Sequence, residues 1–131
     1  MIGIDSNVLV RFLTQDDPAQ SAAATRLLGQ LTMDSPAFVA REVMIKTVWV
    51  LERAYRFDRA RIAQALEGLL EAEELQIEAA DAVGLALHRY GAGGPSFADH
   101  MIQVAAQATG CTTTYTFDCK AAATDAATLL V

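Results

Sequence analysis

Short apolar runs alternate along this chain with longer segments whose apolar residues recur every three or four positions. An unbroken run of a few apolar residues suits a buried strand, whereas a period near 3.6 suits a helix with one buried face. When strands and helices take turns, consecutive strands are not joined by hairpins. Each helix instead carries the chain back across the sheet, so the strands pair in parallel with helices on both faces. The expected class is α/β.

The run at 1–4 reads as a strand that ends at Asp5-Ser6-Asn7 and enters a helix over 8–13. Asp16-Asp17-Pro18 starts a second helix, running to 31, because Asp caps exposed N–H groups and proline suits the first turn. A strand is expected at 36–40 and a helix over 41–55, with Met44, Val48, Leu51 and Tyr55 on its buried face. Asp58 caps a helix over 59–72, a short strand follows at 75–77, and another helix covers 80–90. Gly91-Ala92-Gly93-Gly94-Pro95 is the clearest loop. Phe97, Met101, Val104 and Ala108 mark a helix ending at Gly110, and the Thr-rich stretch 111–115 reads as a strand. The tail 120–131 holds an Ala-rich turn or helix and an edge strand at 128–131. No repeat, linker or low-complexity segment interrupts this order, so one domain covering 1–131 is expected.

Composition narrows the functional classes. No apolar run is long enough to span a bilayer. Asp5 interrupts the apolar start too early for a signal peptide, so a cytoplasmic location is the default expectation. Cys111 and Cys119 cannot form a structural zinc site with His88 and His100 at their spacing; both are expected to be small, partly buried hydrophobes. A net charge of -6 disfavours a module that binds nucleic acid through bulk attraction. It does not disfavour a metal-dependent nuclease, whose clustered carboxylates are neutralised by bound cations.

Three acids stand where a strand gives way to a helix or where a helix begins: Asp5, Asp99 and Asp118. Singly, each is explained by capping, and Ser96-Phe97-Ala98-Asp99 has the form of a capping box with Asp in the Glu or Gln position. Together they suggest more. Ligands of open parallel sheets bind beyond the carboxyl ends of the strands, where such junctions gather. Carboxylates crowded there repel one another unless a hard divalent cation joins them. Metal held by oxygen ligands suits phosphodiester hydrolysis, aligning the phosphate, activating water and offsetting charge on the leaving oxygen.

The local sequences sharpen this. Ile2-Gly3-Ile4-Asp5-Ser6-Asn7-Val8-Leu9-Val10 resembles the opening of PIN domains. Val39-Ala40-Arg41-Glu42-Val43 with Val48-Trp49-Val50-Leu51-Glu52-Arg53-Ala54-Tyr55 resembles a helix of the VapC branch of that family. Phe97-Ala98-Asp99-His100-Met101-Ile102 and Thr114-Tyr115-Thr116-Phe117-Asp118 resemble its third and fourth motifs. The resemblance implies a three-layer α/β/α sandwich with a mostly parallel sheet. It also implies an endoribonuclease dependent on Mg2+ or Mn2+, the toxin of a toxin–antitoxin pair, forming a homodimer and silenced by a small antitoxin protein. Asp5, Asp99 and Asp118 match the family acids and take the catalytic and metal roles, with Ser6 and Asn7 supporting the first through hydrogen bonds.

The pattern breaks in two places. The family usually carries a catalytic Glu just before the apolar-Trp stretch; aligned on Trp49-Val50-Leu51, that position is Lys46. Another Asp often stands where this chain has Ser96. Glu42 lies one turn before Lys46 and could substitute, but a first-turn Glu paired with Lys46 is the preferred reading. Lys46 is then an acquired inactivating change, a natural loss of catalysis with RNA or antitoxin binding retained, or a phosphate-binding group; the first two are preferred. Among the arginines Arg11, Arg41, Arg53 and Arg56, the best candidates for gripping RNA are Arg41 and Arg53. His100 is expected to serve packing, and Trp49 and Tyr55 to be core or dimer contacts and not base-stacking platforms. The alternatives to a ribonuclease are an inactive PIN-like module that binds RNA or an antitoxin, and an aspartyl-nucleophile phosphatase built on Asp5.

Overall fold

The computed structural model describes all residues, Met1–Val131. Two compact units make up the chain, Met1–Ala80 and Asp81–Val131.

In the first unit three parallel strands, β1 (Ile2–Gly3), β2 (Ala37–Val39) and β3 (Leu75–Ile77), lie in the order β1-β2-β3. Ile2 pairs with Ala37, and Val39 pairs with Ile77. Helices α1 (Ser6–Thr14) and α2 (Pro18–Gly29) connect the first two strands; α3 (Arg41–Arg53) and α4 (Arg59–Glu71) connect the next two. The expected caps are present. Asp17 accepts from the Gln20 amide at 2.9 Å with Pro18 in the first turn, and Asp58 accepts from the Arg61 amide at 2.9 Å. Burial follows the sequence periodicity. Leu9 and Val10 of α1, Met44, Val48 and Leu51 of α3, and Ile62, Leu66 and Leu69 of α4 are buried, as are Ala37 and Val39 of β2.

Two expectations are corrected in this unit. Tyr55 lies beyond the end of α3, half-buried, and its side chain is engaged in hydrogen bonds instead of in the core. Its hydroxyl donates to Asp16 and accepts from Arg11 at 2.9 Å, tying the end of α3 to the α1–α2 corner. Trp49 is 55% exposed and so is not core. Two turns of α3 separate Trp49 from the start of the helix, and its neighbours Val48 and Leu51 take the inward positions.

The second unit holds α5 (Ala80–Ala92), α6 (Phe97–Ala108) and a parallel pair, β4 (Thr114–Thr116) with β5 (Ala127–Leu129), in which Tyr115 pairs with Thr128. A 3₁₀ turn at Ala121–Ala123 lies between these strands. Phe97 and Tyr90 are buried and meet edge to face with centroids 5.8 Å apart. Gly91 and Ala92 belong to α5, so the loop begins only at Gly93, where φ turns positive at 119°. Gly94 follows at φ 79°, a conformation that favours glycine. His100 is buried and fastens this loop through its Nε2, 3.1 Å from the Gly93 carbonyl, which bears out a packing role. Gln103 is likewise buried but satisfied, donating to the Ala121 carbonyl at 2.9 Å and accepting from the Thr124 hydroxyl at 2.7 Å. Strand β4 starts at Thr114, three residues later than expected, and Cys111 and Cys119 are both free and exposed, not partly buried.

Candidate functional site

Asp5 follows β1 and caps α1, its Oδ1 accepting from the amides of Asn7 at 3.0 Å and Val8 at 3.3 Å. The side chains of Ser6 and Asn7 do not reach it: Ser6 is buried, and the support comes from backbone N–H groups. Asp118 follows β4 and does the same for the 3₁₀ turn, its Oδ1 accepting from Lys120 at 2.8 Å and Ala121 at 3.2 Å. Asp99 stands in the first turn of α6. Ser96 caps that helix, accepting from the Asp99 amide at 3.1 Å while its hydroxyl donates to Asp99 Oδ2 at 3.0 Å.

These contacts share one property. Each carboxylate commits a single oxygen to its local structure, Oδ1 of Asp5, Oδ1 of Asp118 and Oδ2 of Asp99, and its second oxygen accepts no hydrogen bond. Capping and metal ligation therefore do not compete here. Hard oxygen donors of this kind suit Mg2+ or Mn2+. Neither unit by itself gathers three or more Asp, Glu, His or Cys side chains into a metal-holding group. Asp5 belongs to the first unit, and Asp99 and Asp118 to the second.

Glu42 and Lys46 lie on α3, and the expected pair between them does not form. Glu42 is 4.0 Å from Arg41, and Lys46 is exposed with no ion-pair partner. Arg41 is engaged further: its Nε is 3.6 Å from Glu78, whose carboxylate also accepts from the Arg41 amide at 3.0 Å. Helix α3 has no side-chain cap from its own N-cap residue, Ala40, so Glu78 from beyond β3 supplies one. Arg53 is exposed, 5.6 Å from the centre of the Trp49 ring.

A polar cluster absent from the sequence reading sits near the start of the chain. Arg11 donates to Asp16 at 3.0 Å and to Gln20 at 2.7 Å. Asp16 also takes hydroxyls from Tyr55 and Thr14. The Tyr55 hydroxyl is the largest influence that holds the Asp16 carboxyl down at about 2, with Thr14 and Arg11 adding to it. Asn7, Arg11, Gln20 and Leu27 border an open recess of ≈ 510 Å³ between α1 and α2. Only the run of Asp and Pro at the turn hinted at this cluster, because Tyr55 lies 39 residues from Asp16 in sequence.

No curated protein matches the chain. Among solved structures it is similar to that of Mycobacterium tuberculosis VapC20, described as a sarcin-ricin loop cleaving toxin. The two share 22% identity and a TM-score of 0.48, over 94% of this chain and 94% of that one. The PIN domain family model matches residues 2–127, nearly the whole sequence. On that match, the chain belongs to the PIN domain family.

Proposed function

We propose that this chain is a divalent-metal-dependent endoribonuclease, the toxin of a VapC-type toxin–antitoxin pair, acting in the cytoplasm as one PIN domain over 1–131. The observation that carries the reading is the family match over 2–127; the roles of Asp5, Asp99 and Asp118 rest on the resemblance of their local sequences to the family's motifs. The uncommitted oxygens of these three residues are the donors that would hold Mg2+ or Mn2+. Bound there, the cation supplies charge for the phosphate and lowers the pKa of water. The residues of the chain do the rest: backbone amides fix Asp5 and Asp118, and Ser96 fixes Asp99. A small antitoxin protein and a second copy of the chain are its partners in this reading.

Lys46 is exposed and unpaired at the position of the usual catalytic Glu. That observation favours a second reading, an inactive PIN-like module that retains RNA or antitoxin binding. Cleavage of RNA with Mn2+ or Mg2+ by this chain, Lys46→Glu and Asp5→Asn separates the two. The ribonuclease reading expects slow cleavage, faster in Lys46→Glu and absent in Asp5→Asn. Cleavage that survives Asp5→Asn would sink the metal-site proposal. No metal-dependent cleavage by either the parent or Lys46→Glu would leave the binding module.

A further inference from the structure

Helix α3 turns Met44, Thr47, Val48 and Leu51 inward. At about 100° per residue, Lys46, Trp49 and Arg53 fall within about 60° of one another on the opposite side. All three are exposed, with Trp49 at 55%. Arg53 lies 5.6 Å from the centre of the indole, within cation–π range, so the ring is bracketed by cations along the helix. Neither Lys46 nor Arg53 is in an ion pair, whereas Arg11 and Arg41 are held by Asp16 and Glu78. On a chain with net charge -6, Lys46 and Arg53 are two unpaired cations flanking an exposed aromatic, and the one acid on the same face, Glu42, lies 4.0 Å from Arg41.

We infer that this face of α3 holds single-stranded RNA. A base stacks on Trp49, and the phosphates on either side meet Lys46 and Arg53. Charge complementarity with the phosphate backbone selects this occupant, and stacking on an aromatic ring tolerates any base. Lys46 to Arg53 spans seven residues, about 10 Å of helix, which suits contacts on both sides of one stacked nucleotide. The acid usual at position 46 would repel the strand at this point, so Lys46 converts a catalytic position into a holding one. The inference takes its ligand class from the ribonuclease reading, but the binding itself needs neither metal nor cleavage.

Trp49 is the only tryptophan of the chain, so its fluorescence reports this face alone. The test titrates the full chain with a short single-stranded oligoadenylate in excess EDTA, following indole emission and, in parallel, the anisotropy of labelled oligonucleotide. Emission should be quenched as the RNA binds. Trp49→Ala should weaken binding about tenfold. Lys46→Ala and Arg53→Ala should each reduce the slope of log affinity against log salt by about 0.7. Thermal melts of the three variants check folding, and quenching of the parent needs no variant at all. RNA that binds without quenching overturns the inference, as do variants that bind like the parent or an absence of binding. Self-association in sedimentation that Trp49→Ala abolishes, without any response to RNA, would instead make this face a contact between copies. Failure of the nuclease reading shows separately: neither the parent nor Lys46→Glu cleaves RNA with Mn2+, while the parent still binds RNA with quenching in EDTA.

Discussion

Ser96 performs two tasks that single substitutions can separate. Its hydroxyl oxygen caps α6 through the Asp99 amide at 3.1 Å, and its proton goes to Asp99 Oδ2 at 3.0 Å. Ser96→Ala removes both. Loss of an N-cap costs about 1 kcal/mol, and the second bond, on a half-exposed carboxylate, adds less than a buried one would, for a total of about 1–2 kcal/mol. For a chain of this size that is a fall in Tm of roughly 3–8 °C. The local readout is hydrogen exchange: the Asp99 amide should exchange about tenfold faster or more. Ser96→Asp restores the acid often found at this position in the family. Asp caps as well as Ser, so the amide should stay protected. The new carboxylate faces Asp99 at close range, a repulsion of about 1 kcal/mol in high dielectric, and Mn2+ should relieve it. The variant's melting temperature should therefore rise with Mn2+ by more than the parent's. If Ser96→Ala melts with the parent and its Asp99 amide stays protected, the capping argument is wrong. If Ser96→Asp gains nothing from Mn2+, the assignment of Asp99 as a metal ligand is wrong.

Asp16 should shape the acid limb of stability. Its folded-state carboxyl is held at about 2, below the ordinary 3.8, chiefly by the Tyr55 hydroxyl, so its contribution is full above the ordinary value and is lost as pH falls from about 4 to about 2. Urea midpoints against pH should show a shallower decline in that window for Tyr55→Phe and Asp16→Asn; an unchanged decline would refute the role of the cluster. Leu51 is completely buried, so Leu51→Ala should cost roughly 3–5 kcal/mol in urea unfolding, whereas Leu85→Ala, at a site 43% exposed, should stay within about 0.5 kcal/mol. Equal costs at the two sites would contradict the assignment of the buried face. Cys111 and Cys119 are both exposed, so both thiols should titrate with a chromogenic disulfide under native conditions; a thiol that reacts only after denaturation would refute that exposure.

The local elements were legible because their signals are local. Asp17-Pro18 and Asp58 announce helix starts through the bonds a carboxylate can make within its own turn, and both caps are present. The apolar spacing of Met44, Val48 and Leu51 gave the inward face of α3 for the same reason. The α/β class followed from the alternation of elements, and family membership from motifs that are short but ordered along almost the whole sequence. Boundaries were less legible. The threonines before Thr114 carry strand propensity without finding a partner strand, and Gly91 continues α5 because the turn is made at Gly93 and Gly94.

What the sequence by itself determined about the candidate site is the identity and order of Asp5, Asp99 and Asp118, each placed by its own element boundary. Only the tertiary structure decided which partners the charged side chains take. Lys46 is one turn from Glu42, close enough for a pair, yet Glu42 turns to Arg41, and Arg41 is held by Glu78. Spacing along a helix states which groups can meet; it does not state which competing partner arrives from another strand. The same competition left Lys46 unpaired and Trp49 in solvent, because the core side of α3 was filled by smaller side chains at the inward positions. A residue's local period fixes its direction, but its ionic partner depends on chain segments that the period cannot see.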